Sequence, residues 1–225
     1  STRKESSAAS DVYKRQPINS GVFCLKKDRF QDVVWIGTDG QGVYLYSNPL
    51  YSIKSMVLSN YTEKIERPVR AIYLDDERTF WVGTKGNGIL KIYDYEFDKN
   101  ISDCRAEVLT TSNSALSSNA VYCFAKSHRN LLWIGDEEGL TYYSYREKRI
   151  KSIPIRIGNE DFKYIHDIYE TADSELWLAS VGMGVVKARI AGTPDNPVIV
   201  DAQRYIINDG ELGSNYFLSL IHISE

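Results

Sequence analysis

Cysteine is scarce here and badly spaced for chemistry. Cys24, Cys104 and Cys123 form no CxxC pair, and three thiols cannot all pair with one another, so neither a zinc cluster nor a disulfide framework is indicated. Histidine is equally thin: His128, His166 and His222 have no histidine four residues away and belong to no metal-ligand grouping, so no metal and no cofactor is expected. An excess of one charge is missing too. The 27 Lys and Arg against 30 Asp and Glu are interspersed and leave a formal net charge of −3, which provides no basic field for phosphates or anionic lipids; a nucleic-acid partner is not expected. No apolar run approaches the roughly 20 residues of a membrane helix, so no membrane contact is expected from this segment, although a longer parent could have one. Amphipathic helices are lacking as well, because no stretch keeps a 3.6-residue apolar period over three turns with caps.

What is present is aromatic and apolar. Hydrophobic residues make up 43% and aromatics 12%, with 16 Tyr and 4 Trp, enough to bury a core. Residues 6–16 read as the in-frame translation of a transposon-type sequencing adaptor, and residues 218–225 as the other adaptor read outward. Residues 1–16 and 218–225 are therefore expected to be non-native, which removes His222 from consideration and leaves 17–217 as the biological part. The absence of Met at position 1 and of an apolar signal-peptide core reads as an internal fragment.

All four tryptophans fall in one recurring motif: Val34-Trp35-Ile36-Gly37-Thr38, Phe80-Trp81-Val82-Gly83-Thr84, Leu132-Trp133-Ile134-Gly135-Asp136 and Leu176-Trp177-Leu178-Ala179-Ser180, spaced by 46, 52 and 44 residues. A glycine follows each (Gly42, Gly88, Gly139, Gly184) and opens a second β-rich run; two strands about a glycine turn read as a hairpin. About ten residues before each tryptophan lies another apolar stretch: Val22-Phe23-Cys24-Leu25, Ala71-Ile72-Tyr73-Leu74, Val121-Tyr122-Cys123-Phe124 and Ile165-His166-Asp167-Ile168-Tyr169. A more polar fourth strand follows the hairpin, as in 51–57 and 149–155. Four-stranded antiparallel units repeating every 40 to 50 residues indicate an all-β fold, a partial β-propeller forming an open arc. The expected blades span about 17–58, 66–111, 119–157 and 163–208, with a fifth beginning at 209–217. One blade cannot cover both its faces, so the four indoles are expected between blades, and each terminal blade should leave one face open. Cys24 and Cys123 align with Ile72 and Ile168 by apolar character and read as core fillers.

At these residues the chain resembles the two-component regulator propeller repeat, in which leucine, tryptophan, a small apolar residue, glycine and threonine precede a glycine turn and an aromatic strand. Residues 35–42 and 81–88 fit best; Asp136 in place of threonine, and Ala179-Ser180 in place of Gly-Thr, depart from it and would weaken those turns. The resemblance implies a periplasmic, ligand-sensing region of a hybrid two-component histidine kinase, a homodimeric parent, and oligosaccharides as typical inputs. The kinase and membrane parts would lie outside this chain.

The chemistry weighed against that reading is weak. The turn Thr38-Asp39-Gly40-Gln41-Gly42 leads into another strand, whereas a phosphate-cradling loop opens a helix. The acidic groups Asp75-Asp76-Glu77 and Asp136-Glu137-Glu138 could supply paired carboxylates for glycan cleavage, but they fall in turns on different faces of a blade, where solvated charge is expected. Catalytic residues are therefore expected to be none. Binding suits propeller loops better: inter-blade loops and glycine hairpins share one rim, and Tyr61, Arg70, Asn119, Lys163, Tyr164 and His166 there could stack on sugars or hydrogen-bond their hydroxyls. The alternatives are a propeller enzyme, a glycan lyase or hydrolase, and a protein-interaction scaffold.

Overall fold

The computed structural model describes residues 18–56, 67–99 and 104–205. Tyr61, the start of the fifth repeat and both adaptor-like ends lie outside them. The described residues form four consecutive four-stranded antiparallel sheets, each ordered as a simple meander. Blade one holds β1 (Val22–Lys27), β2 (Val33–Thr38), β3 (Val43–Ser47) and β4 (Ser52–Ser55). Blade two holds β5 (Val69–Leu74), β6 (Thr79–Thr84), β7 (Ile89–Tyr93) and β8 (Ala106–Leu109). Blade three holds β9 (Val121–Lys126), β10 (Leu131–Asp136), β11 (Leu140–Ser144) and β12 (Arg149–Ile153). A short hairpin of β13 (Arg156–Ile157) and β14 (Glu160–Asp161) then leads to blade four, β15 (Ile165–Glu170), β16 (Glu175–Ser180), β17 (Gly184–Thr193) and β18 (Asn196–Tyr205). The first strands β1, β5, β9 and β15 pack in succession along the inside of the arc, which stays open.

The tryptophans occupy matching places. Trp35 pairs with Lys26 and Leu45, Trp81 with Tyr73 and Lys91, Trp133 with Ala125 and Tyr142, and Trp177 with Tyr169 and Lys187, always on the second strand between the first and third. The apolar core lies between blades in three clusters, one per junction. Trp35 stacks on Phe80 of blade two at 3.9 Å, and Trp81 meets Tyr143 of blade three edge-on at 4.7 Å. Trp35, Trp81 and Trp133 are fully buried; Trp177, with no described blade beyond it, is only half-buried and stacks on Tyr205 of its own sheet. At the other end Val22, Phe23 and Leu25 are exposed, so among the described residues both terminal faces are open, as expected.

A buried indole N–H needs an acceptor, and acids supply it. Trp35 donates to Asp28 at 3.2 Å and Trp81 to Asp75 at 2.9 Å, both acids sitting just after the first strand of the same blade. Blade three has Ser127 there, and Trp133 instead donates at 2.7 Å to Glu170 of blade four. Asp75 and Asp136, read from the sequence as solvated turn charges, are in fact buried. Asp136 takes over the work of the motif threonine. Thr38 and Thr84 donate to Gly42 O and Gly88 O at 2.7 and 2.9 Å and accept the amides of Gln41 and Asn87, each just before the turn glycine, at 3.2 and 2.9 Å. Asp136 accepts the Glu138 and Gly139 amides at 2.9 and 3.0 Å, and the Ser117 and Thr141 hydroxyls at 2.6 and 3.1 Å. The departure from threonine therefore leaves the turn fully supported. Burial nonetheless pushes the Asp136 carboxyl above its ordinary range.

Register corrects one alignment. Cys24 and Cys123 face Gly37 and Gly135 across the sheet, a place held by Ala71 in blade two and Asp167 in blade four, not by Ile72 and Ile168. Apolar likeness pointed to the isoleucines, while hydrogen-bond pairing puts them one residue further on. The glycine opposite makes room: a Cβ on Gly37 or Gly135 would stand 2.5 Å from the facing sulfur, and one on Gly135 also 2.5 Å from Ile165 O of the next blade. The core role stands, since burial pushes the Cys24 thiol up to about 11 and that of Cys123 well above its ordinary value, far from a reactive thiolate. The hairpin β13–β14 falls where a plain loop was expected. Gly158 turns it at φ +62, and flanking Ile155 and Phe162 anchor it in the core.

Candidate functional site at the inner rim

Each first strand carries an irregularity at the same point. Pairing skips from Val22 to Cys24, Val69 to Ala71, Val121 to Cys123 and Ile165 to Asp167. The extra residues are Phe23, Arg70, Tyr122 and His166, one per blade. A bulge frees a residue from the ladder and re-aims its side chain, and these four meet along the inside of the arc. The Arg70 guanidinium lies 3.8 Å over the Phe23 ring, and Tyr122 stacks on His166 at 4.1 Å with planes 13° apart. Each pair bridges adjacent blades.

A second repeating contact builds the rim beside this row. The residue four after each tryptophan donates its amide to the carbonyl just before the inner strand: Asp39 to Gly21, Lys85 to Pro68, Glu137 to Ala120 and Val181 to Tyr164, at 2.9, 2.8, 3.0 and 3.3 Å. Glycine hairpins and inter-blade segments therefore share this end of the molecule. Electrostatics follow from the placement. His166 is held below the ordinary imidazole value first by burial, then by Arg70 and Lys85, and Tyr122 is raised by burial and then by Glu137.

The residues singled out from the sequence divide into groups. Arg70 and His166 stand in the row. Tyr164 is exposed on the same rim at φ +55. Lys163 is engaged at 2.5 Å with Glu138. Asn119 works as a clamp: its carbonyl accepts the Gly86 and Gly88 amides at 2.9 Å, and its side-chain oxygen accepts that of Thr111 at 2.9 Å. Phe23 and Tyr122 were missed. Their signal was nevertheless legible, a β-branched residue, a variable residue and a third residue in each repeat: Val22-Phe23-Cys24, Val69-Arg70-Ala71, Val121-Tyr122-Cys123 and Ile165-His166-Asp167.

The opposite end offers a groove of about 710 Å³ lined by Tyr73, Asp76, Lys126, His128 and Tyr145. Its charges already satisfy one another, because Asp76 holds both Arg29 and Lys126 at 2.7 Å. At the inner rim Arg70 Nε is buried with no acceptor. Among the described residues no group of three or more His, Cys, Asp or Glu could hold a metal, and no helix is long and apolar enough to cross a membrane.

The row gives a titration to check. Substituting Arg70→Gln removes one of the two cations that lower His166, so its midpoint should move upward, read by NMR on the imidazole. An unchanged midpoint would separate the two side chains. The sign for stability follows: with the folded value below the unfolded 6.5, His166 supports the fold above that pH and loses this support as pH falls through 6.5 toward the folded value.

A comparison with known protein families finds none that matches the chain. Among curated proteins, it is 31% identical over 140 residues to translation initiation factor 6 of Saccharolobus solfataricus, covering 56% of this chain and 57% of that factor. Among solved structures it is similar to the extracellular domain assigned to the hybrid two component system BT3049 of B. thetaiotaomicron, at 24% identity and TM-score 0.58, covering 81% of this chain and 22% of that one. PorZ, a surface component of the type-IX secretion system of Porphyromonas gingivalis, is similar at 14% identity and TM-score 0.60, covering 86% of this chain and 28% of that one. The chain thus spans just over half of the curated relative and about a quarter of each structure. What it shares with the two solved structures is the fold, the β-propeller its tryptophan repeats imply.

Proposed function

We propose that this chain is part of the extracytoplasmic, ligand-sensing propeller of a two-component sensor, non-catalytic itself, and that its inner rim receives an oligosaccharide. The fold alone does not decide this, since a secretion-system component shares it. The observation that carries the reading is the row of Phe23, Arg70, Tyr122 and His166, which presents aromatic faces and hydrogen-bonding groups side by side on four rigid strands. Aromatic faces stack on sugar rings, and the flanking donors address hydroxyls. Occupancy would signal by favouring one arrangement of a homodimeric parent over another.

Calorimetric titration of the chain with a panel of oligosaccharides tests this. Binding is expected for some, without turnover, and Tyr122→Ala should weaken it about 3- to 10-fold. Product formation would favour the lyase or hydrolase alternative. Silence across the panel would favour a protein-interaction scaffold.

A further inference from the structure

We infer that the saccharide received at the inner rim is acidic, with its carboxylate taken by Arg70. The inference rests on the reading above and names the ligand class for the same site. Arg70 is the cation of the row, and its side chain is positioned without being paired. Phe23 supports one face of the guanidinium at 3.8 Å, leaving the edge that carries its donors for recognition. Its buried Nε has no acceptor. A buried donor left unmade is costly, and among the described residues no protein group offsets it. A planar guanidinium held in this way suits a two-pronged carboxylate contact better than a single hydroxyl.

The surroundings add positive field. Lys85 is brought next to the inner strand by its amide contact to Pro68 and has no ion pair among the described residues, and the Arg67 side chain runs beside Gly86 of the same hairpin. His166 is lowered first by burial and then by both Arg70 and Lys85, in keeping with two cations on the same side of the row. Elsewhere at this end the cation is already engaged, as Lys163 is with Glu138. The acids near the row gather on the side of blades three and four: Glu137 and Asp136 act on Tyr122, Glu137 accepts from Ser118 at 3.4 Å, and Asp167 follows His166 in the same strand. A ligand with a carboxylate at one end and a neutral ring at the other would therefore set its charge toward blade two and its ring toward Tyr122 and His166.

The test compares uronate-containing oligosaccharides with neutral ones of the same ring and length, by calorimetry on the chain. The acidic ligand is expected to bind at least about 10-fold more tightly. Arg70→Gln should abolish that preference by weakening the acidic ligand at least about 10-fold more than the neutral one, and Arg70→Lys should restore part of it. Rising salt should weaken the acidic ligand more than the neutral one. Lys85→Gln, on the hairpin rather than in the inner strand, should reduce the preference without touching Arg70, so the inference stays testable if Arg70→Gln misfolds. Equal affinity for the two ligands, or a preference that survives Arg70→Gln, overturns this inference and leaves the saccharide reading intact. If neither ligand binds, the saccharide reading fails, and the inference goes with it.

Discussion

Substituting Trp81→Ala is expected to destabilise the fold by about 3–5 kcal/mol, whereas Trp177→Ala, at the equivalent position of blade four, should cost well under half of that. Trp81 is fully buried between blades two and three, against Tyr143 and Phe124. It also carries the aliphatic end of buried Lys91, whose ammonium sits 4.4 Å over the indole and pairs with Glu107 at 2.8 Å. Alanine would leave a cavity that these neighbours cannot fill. It would also strand the buried Asp75 carboxylate, which now accepts the indole N–H, adding the penalty of an unsatisfied group. Trp177 is half-buried, and no acid takes its N–H among the described residues. Urea titrations of the two variants, followed by far-UV circular dichroism, measure the difference; equal losses would mean that the indoles are not inter-blade wedges.

Gly135→Ala is expected to cost about 3 kcal/mol, although nothing in the backbone conformation demands glycine, since Gly135 does not have a positive φ. The obstacle is space. A methyl there would meet Cys123 Sγ and Ile165 O, each at 2.5 Å, and the second is main chain of the next blade. The double substitution with Cys123→Ala should recover only part of the loss, because the carbonyl remains. Gly158→Ala is the converse control: its methyl would meet nothing within 4 Å, but φ is +62, so about 1 kcal/mol of backbone strain is all that is expected. If Gly135→Ala were no worse than Gly158→Ala in the same melts, close approach of blades would not be the reason for the glycine.

These two residues show why the repeat could be read so far from sequence. The tryptophan and the turn glycine recur in every blade and the motif glycine in three of the four, blade four having Ala179, so their spacing is visible without knowing what they touch. The inner strand is harder. Its bulge shifts pairing by a residue, which is why Cys24 and Cys123 were aligned to isoleucines that lie one step along. Buried acids were hidden for a related reason. Aspartate in a turn ordinarily means solvent, and burial of Asp28 and Asp75 is made tolerable by an indole N–H together with turn amides of Phe30, Gln31, Glu77 and Thr79, contacts that the sequence does not display. Of the rim, the inter-blade tie through Asn119 depends on main-chain amides that carry no sequence mark. The pairing of Arg70 with Phe23 joins residues of different blades, a relation that periodicity can align but cannot orient.

The exchange of acceptors at Trp133 has a directional effect on how the arc comes apart. Trp35 and Trp81 carry their acids within their own sheets, but Trp133 borrows Glu170 from its successor. Peeling away the last sheet would therefore uncover an orphaned N–H in the sheet before it, while peeling from the opposite end would leave the next indole provided for. Amide exchange should accordingly spread inward more readily from the carboxyl-terminal side than from the amino-terminal one.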